Sequence, residues 1–402
     1  MPDRDIPFAR PFIGDEEKEA ALRALGSGWL TTGKEAAAFE SEFAAFLAPP
    51  PAAPIGAFAV NSATSGLHLA LEACGAGPGD TVLLPSFTFA SDAEAAIYLG
   101  AEPVFIDIEP GTFHMDPAAL EAALDRLSRG LPAYPGGPAG RPAAVIPVHY
   151  GGLPCNMEPI LELARHYGAR VVEDAAHSFP SLLPGRGLAG TLGDAGVFSF
   201  YATKTITTGE GGMVATRDPE IAARVRLMRL HGIDRDVWNR YTDRGASWYY
   251  EVVEPGYKYN LPDILAAVGR AQLKRAWELL AMRKAIAARY DGAFRDNPRV
   301  IIPRTGPADA RHLYPIRVRG GTPAIDRDAF IDKLKERGIG VSVHFIPLHI
   351  MPYYKKRYGL EAEQFPESVK AFRQLISLPI WPGMTDRDIG RVIDAVGDIS
   401  GE

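Results

Sequence analysis

From Ala57 to Asp174 the chain alternates short apolar segments with segments of helical period, and no other feature constrains the fold as much. The apolar segments are Ala57 to Val60, Thr81 to Leu84, Val104 to Ile108, Ala144 to Val148 and Arg170 to Asp174. Most of their residues are apolar in succession rather than at every second position, the pattern of strands buried on both faces. Strands of that kind separated by helices build an α/β fold with a mostly parallel central sheet covered on two sides. Helices are expected from the Asn61 to Gly66 stretch to about Cys74, after Phe89 through Ala95, from an Asp116 cap through Leu127, and over 157–168. A linker dense in Gly and Pro, 130–142, interrupts the series. Ligands of such sheets bind beyond the carboxyl ends of the strands, which directs attention to the polar loops there.

The flanks follow other patterns. A helix is expected over 15–28, with an acidic start and a Gly26-Ser27-Gly28 stop, then a second helix with Phe39, Phe43, Phe46 and Leu47 on one stripe. Pro49 to Pro54 is a surface connection. Beyond the alternating region come a strand at Met213 to Ala215, a helix at Pro219 to Leu230 and an extended loop over 233–250. One long helix from Pro262 to about Phe294 would lead to a second unit. That unit has strands at Leu313 to Val318 and Val341 to Phe345, a helix at 326–337 and a last helix from Thr385. The division is a large domain, 1–262, and a smaller C-terminal α/β domain, 263–402.

Composition removes several function classes. The 402 residues are 47% hydrophobic and 23% charged, with a net charge of −6 and both signs interspersed, so there is no basic stripe for nucleic acid and no polybasic membrane patch. No apolar run approaches the ~20 residues of a membrane span, and the charged amino terminus has no apolar signal core. Cys74 and Cys155 lack metal-ligand spacing and are too few for a disulfide framework. A cytoplasmic protein with no metal, nucleic-acid or membrane partner is expected.

Four stretches carry chemistry. In Phe198-Ser199-Phe200-Tyr201-Ala202-Thr203-Lys204-Thr205-Ile206-Thr207-Thr208-Gly209-Glu210-Gly211-Gly212 a lysine follows an aromatic strand and precedes a glycine-rich turn. A buried amine loses solvation, its pKa falls and it becomes a nucleophile towards an aldehyde; taken alone, Lys204 fits a surface lysine equally well. Asn61-Ser62-Ala63-Thr64-Ser65-Gly66 joins a strand to a helix with residues small enough to bring backbone N–H groups to an anion, although an ordinary capped helix start has the same look. Glu173-Asp174-Ala175-Ala176-His177-Ser178 sets two acids at the end of an apolar strand, where buried carboxylates need partners. An aspartate there suits a protonated ring nitrogen, or a structural hydrogen-bond network; His177 by itself fits a structural role. Phe89, after another strand, suits stacking on a ring, with core packing the default.

Read together, a phosphate cradle, a stacking aromatic, a carboxylate for a ring nitrogen and a lysine for an aldehyde are what pyridoxal 5'-phosphate requires. No Gly-x-Gly-x-x-Gly opens a helix and no Walker loop occurs. These stretches, together with Gly28 to Gly33, Pro85-Ser86-Phe87-Thr88-Phe89, Gly256-Tyr257-Lys258-Tyr259-Asn260-Leu261-Pro262-Asp263 and His344-Phe345-Ile346-Pro347-Leu348-His349, resemble the DegT/StrS-type nucleotide-sugar aminotransferases across nearly the whole chain. The Gly256 to Asp263 wording, with His231 to Asp236 before it, is similar to the subgroup that makes 4-amino-4-deoxy-L-arabinose on UDP.

The resemblance implies a fold type I PLP-dependent transferase, aspartate aminotransferase-like. It implies that Lys204 tethers the cofactor and then carries protons, that Asp174 pairs with the ring nitrogen, and that His177 stands near the ring hydroxyl. Phe89 would stack on the ring. The amides of Ala63 and Thr64, with the Ser199 hydroxyl, would hold the phosphate, joined by Asn260 from the neighbouring subunit of a two-fold homodimer. The chain departs from the family at Lys258 and Asn260, where many members have Asn and then a basic residue. It departs again at Ser91-Asp92-Ala93-Glu94, where the subgroup often ends in Asn. The activity implied is transfer of the L-glutamate amino group, releasing 2-oxoglutarate, to a keto carbon of a nucleotide-linked sugar, C4 being the expected one. The alternatives are a 3-keto sugar or a cyclitol ketone as acceptor, and a non-catalytic sensor. A dehydratase of the same fold would have histidine at the Lys204 position.

Overall fold

In a computed structural model of the chain, residues 5–49, 51–234, 249–319 and 326–401 are described. The strands of the first part are β1 (Gly56–Val60), β2 (Asp80–Pro85), β3 (Glu102–Ile106), β4 (Arg141–Val145), β5 (Arg170–Asp174), the short hairpin β6 (Leu182–Leu183) and β7 (Gly187–Leu188), then β8 (Ala195–Ser199) and β9 (Gly212–Thr216). Seven of them form one sheet in the order β1-β9-β8-β5-β4-β2-β3. Pairing is parallel from β8 through β5, β4 and β2 to β3, whereas β9 runs antiparallel to both β1 and β8. Six strands therefore point one way, and their carboxyl ends share one edge.

The helices of this part are α1 (Asp15–Gly26), α2 (Lys34–Leu47), α3 (Ala63–Ala73), α4 (Ala90–Tyr98), α5 (Pro117–Ser128), α6 (Met157–Tyr167) and α7 (Pro219–Met228). Successive strand residues serve opposite faces. Val82, Leu84, Val172, Val197 and Val214 pack with α3, α4 and α7, whereas Leu83, Val145 and Val171 pack with α5 and α6. Phe198 and Met213 meet Phe39 and Phe43 of α2 on that second side. Burial on both faces is why these strands are apolar in succession.

Next come α8 (Asp263–Lys274) and α9 (Ala276–Phe294). The single helix expected from Pro262 to Phe294 is in fact two, parted at Arg275, whose φ of −103° and ψ of 5° leave the helical range. The break turns the chain from packing on α1 and α2 to packing in a second core, and no Gly or Pro marks it. That core contains a three-stranded antiparallel sheet of β10 (Val300–Ile301), β11 (Tyr314–Val318) and β12 (Leu375–Leu378). Around it are α10 (Arg327–Glu336), α11 (Pro352–Tyr358), α12 (Pro366–Gln374) and α13 (Asp386–Gly401). Ile6 also packs into this core, bridged to Ile339. Val341 to Phe345 is not a strand; Ser342 makes one bridge to Ser377. β4 begins at Arg141, three residues before its expected start and inside the expected linker, because Pro142 masks the strand pattern. β3 is displaced two residues towards the amino end of its expected position. Most of the loop expected over 233–250 falls on 235–248, outside the described residues.

Two of the quoted stretches meet around Asp263. Its Oδ1 accepts from the N–H groups of Gly33 (2.7 Å) and Ala36 (3.0 Å), and its Oδ2 from that of Glu35 (3.2 Å). A carboxylate some 230 residues away thus caps α2, whose own cap residue, Gly33, has no side chain to offer. Any Cβ at Gly33 would meet Trp29 Nε1 at 2.3 Å and Asp263 Oδ2 at 2.9 Å. Asp263→Ala leaves three amides without their acceptor and is expected to destabilise the fold by about 3 kcal/mol in urea unfolding, with Asp263→Asn losing less. Equal stability of Asp263→Ala and wild type would exclude the long-range cap.

Candidate active site

The loop 200–211 leaves β8 at the shared carboxyl edge and returns into β9. It is closed by Phe200 N–H to Gly211 O (2.9 Å), Thr208 N–H to Phe200 O (3.0 Å) and Thr207 Oγ1 to Phe200 O (2.9 Å). Phe198 and Phe200 are fully buried, packed on Phe43 at 5.2 and 5.6 Å between ring centres. Lys204 sits at a tight turn in this loop, its N–H donating to Tyr201 O at 2.9 Å, and faces a cavity of about 620 Å³. The same cavity is lined by Ala63, Thr64, Phe89, Asp174, His177 and Ser199.

The two acids at the end of β5 separate by strand alternation. Glu173 points into the protein, is fully buried, and accepts from His149 Nε2 (2.9 Å) and the N–H groups of Gly190 (2.9 Å), Leu192 (2.6 Å) and Gly193 (2.7 Å). Burial alone would raise its pKa, but His149 and these amides outweigh burial and hold it below the usual carboxylate range. Glu173 is thus the structural network, and Asp174 the acid of the cavity. Asp174 Oδ1 accepts the Ala176 N–H at 2.9 Å, and burial raises its pKa against the opposing pull of that amide and of Lys204.

Burial is also the largest influence on Lys204. It pulls the amine down to about 8 from 10.5, with Arg283 adding to the effect and Asp174 opposing it. Arg283 is buried on α9 and donates to the carbonyls of His312 (3.2 Å), Ile380 (2.9 Å) and Thr203 (3.2 Å), so it ties the lysine loop to the second core. His177 Nδ1 accepts the Gly151 N–H at 3.3 Å, which assigns the ring proton to Nε2. The rings of His312 and Phe345 lie 4.5 and 5.9 Å from it. Burial lowers the pKa of His177, His312 and His344, with Lys204 adding to each, so the three imidazoles are neutral.

At the start of α3, Ser62 caps the helix by accepting the Ser65 N–H, and the amides of Ala63 and Thr64 have no acceptor among the described residues. Gly212 keeps this helix start against β9, since a Cβ there would meet Ala63 N at 2.8 Å. Phe89 is not the core residue of the default reading: the residue is 60% exposed at the cavity rim, its ring centre 6.1 Å from that of Phe345. Asn260 does not line the cavity of its own chain; it donates to Thr32 Oγ1 at 2.6 Å and accepts from Lys258 Nζ. Arg283, His312 and Asp92 were not singled out from the sequence. Only Arg283 had a readable signal there, a charge on the apolar stripe of Leu279, Ile286, Ala287 and Tyr290.

An amine, a facing carboxylate, two free amides at a helix start and a serine hydroxyl match the aldehyde, ring nitrogen and phosphate of pyridoxal 5'-phosphate in chemistry. Residues 11–397 match the DegT/DnrJ/EryC1/StrS aminotransferase family. The spore coat polysaccharide biosynthesis protein SpsC of Bacillus subtilis (strain 168) is 44% identical over 397 residues, covering 98% of this chain and 97% of SpsC. Among solved structures, Spr1654 of Streptococcus pneumoniae in its PMP form superposes with a TM-score of 0.86 at 29% identity, covering 99% of both chains, and has also been solved in its PLP form. DesI, solved in the presence of its TDP-sugar product, gives a TM-score of 0.81 at 29% identity, covering 99% of this chain and 93% of DesI.

The depressed Lys204 amine has a measurable consequence. Only the unprotonated amine attacks an aldehyde, so association of added pyridoxal phosphate with the cofactor-free protein should quicken as pH rises, with a midpoint near about 8. A rate still climbing towards pH 10.5, the ordinary lysine value, would show that the amine is not desolvated.

Proposed function

This chain belongs to the DegT/DnrJ/EryC1/StrS aminotransferase family, whose members use pyridoxal 5'-phosphate, and from that premise we propose that it transfers the amino group of L-glutamate to a keto carbon of a nucleotide-linked sugar. The observation that carries the reading is the meeting of Lys204 and Asp174 in one cavity, the amine pulled down to about 8. When bound, the cofactor supplies an electron sink for the carbon that loses a proton. The residues of this chain do the rest. Lys204 Nζ would hold the aldehyde end of the cofactor and would be the base that moves a proton off the donor carbon and onto the acceptor carbon. Asp174 would hold a proton on the ring nitrogen. His177 would offer its Nε2–H to the ring hydroxyl, Phe89 would cover the ring, and the Ala63 and Thr64 amides with the Ser199 hydroxyl would hold the phosphate.

Two-half, ping-pong turnover follows, glutamate leaving as 2-oxoglutarate before the sugar binds. A nucleotide-linked acceptor is supported by the TDP-sugar product of DesI and the polysaccharide role of SpsC. C4 as the aminated carbon is supported by the Gly256 to Asp263 wording. We further propose a two-fold homodimer in which Asn260, or Lys258 bonded to it, serves the neighbouring phosphate; Val252 and Val253, nearby in sequence and 63% and 52% exposed, supply apolar surface for such a contact.

Lys204→Ala is expected to lose both the absorbance of the lysine-bound cofactor and all turnover; a variant that keeps both would sink the reading. With wild type, glutamate and a panel of UDP-, dTDP- and GDP-linked 4-keto sugars should give one aminated sugar per 2-oxoglutarate formed. Preference for a 3-keto sugar or a cyclitol ketone would replace the C4 assignment.

A further inference from the structure

We propose that Asp92 and Asp174 form a two-carboxyl pair sharing one proton, with Asp92 its holder, so that Asp92 is a positioning residue for Asp174; the link to catalysis rests on Asp174 as the ring-nitrogen partner. Asp92 lies in the first turn of α4 and has no exposure to solvent. Its Oδ2 accepts the Thr88 hydroxyl, while its Oδ1 is buried with no hydrogen-bond partner among the described residues. Such an oxygen is costly unless something satisfies it. The Asp92 and Asp174 carboxyls are close enough to act on each other as hydrogen-bonding groups. Two carboxylates cannot hydrogen-bond, because neither has a donor. One proton removes the conflict: Asp92 donates and Asp174 accepts, Oδ1 being the Asp92 oxygen that the Thr88 hydroxyl leaves free to carry it.

The surroundings decide which acid holds the proton. Asp174 also accepts the Ala176 N–H at 2.9 Å, and Lys204 and His149 both favour its charged form. Asp92 is faced by Asp174 from β5, by Lys204 more weakly, and by the Tyr354 phenol from α11. The start of α4 favours a negative Asp92, but by less than complete burial penalises it. Burial and the Asp174 charge together push Asp92 well above the ordinary carboxylate range, whereas the hydrogen bond from Asp92 lowers Asp174. Asp174 is therefore the acceptor of the pair, oriented by its donors, and is a weaker base than an isolated buried carboxylate would be.

The pair is testable without turnover. Infrared difference spectra of the cofactor-free wild type should show a protonated buried carboxyl at neutral pH, and Asp92→Asn should lose it. Asp92→Asn keeps a neutral donor, so its affinity for pyridoxal phosphate and the pH profile of that affinity should stay close to wild type. Asp92→Leu has no donor and is expected to weaken binding roughly 10- to 100-fold and to shift the profile, since Asp174 must then find its own proton. Absence of the protonated carboxyl in wild type overturns the proposal even if no variant folds, and so does an Asp92→Leu protein with wild-type affinity and profile. The infrared band reports on the pair irrespective of the cofactor, whereas Asp174→Asn, read by pyridoxal phosphate affinity, tests the ring-nitrogen reading separately.

Discussion

Glu173 is a buried carboxylate fixed by a histidine and three backbone amides, and the geometry of the site depends on that cluster. The amides come from the segment just before β8, so the charge pins that segment to the end of β5. A Cβ on Gly196 would meet Gly190 O at 2.0 Å, which shows how tightly the segment lies on β8. With the end of β5 locked to the segment that enters β8, and the two strands paired from Val172 with Ala195 to Asp174 with Val197, Asp174 and the root of the lysine loop share one frame. The cost of burying the charge is offset by complete hydrogen bonding, which a single lost partner would undo.

A second tie crosses between the two cores. Arg283 sends its guanidinium to three carbonyls, one on the lysine loop and two beyond the break at Arg275. Among the described residues it has no carboxylate partner, which is unfavourable for a buried cation, and burial pulls its pKa down to about 10. Its position makes it a field on Lys204 as well as a clamp, so the pKa of the amine depends on how the second core sits.

The parts visible in the sequence were those in which local pattern and tertiary role agree. Apolar succession revealed the parallel strands because burial on both faces demands it. The Glu173-Asp174 acids and the Lys204 stretch were visible because carboxylates and a lysine beside buried strand ends need a reason. What stayed hidden was non-local. The break at Arg275 has no Gly or Pro, because the packing of two cores sets it, not the chain. β12, Leu375–Leu378, is four residues long and gains its identity from pairing with β11. Asp92 gave no signal, since its meaning comes from Asp174, which is distant along the chain and adjacent only after folding. Phe89 departs from its default in the other direction: a phenylalanine after a strand is usually core, and here it is left open at the cavity rim.

The antiparallel β9 has a consequence for how such chains can vary. Ser199 pairs with Gly212 and Phe198 with Met213, so the lysine loop is the tip of a long hairpin rather than a crossover. Strand faces alternate every residue. An insertion or deletion of one residue within 200–211 that slid the β9 register would turn Met213 and Ala215 from the Phe43 side to the α3 side and Val214 the other way. Changes of length there are therefore confined to those the loop can absorb without moving the pairing. The interval between Ser199 and Gly212 acts as a ruler, and it is the ruler, more than any neighbour of the lysine, that sets how far along the cavity the amine can stand.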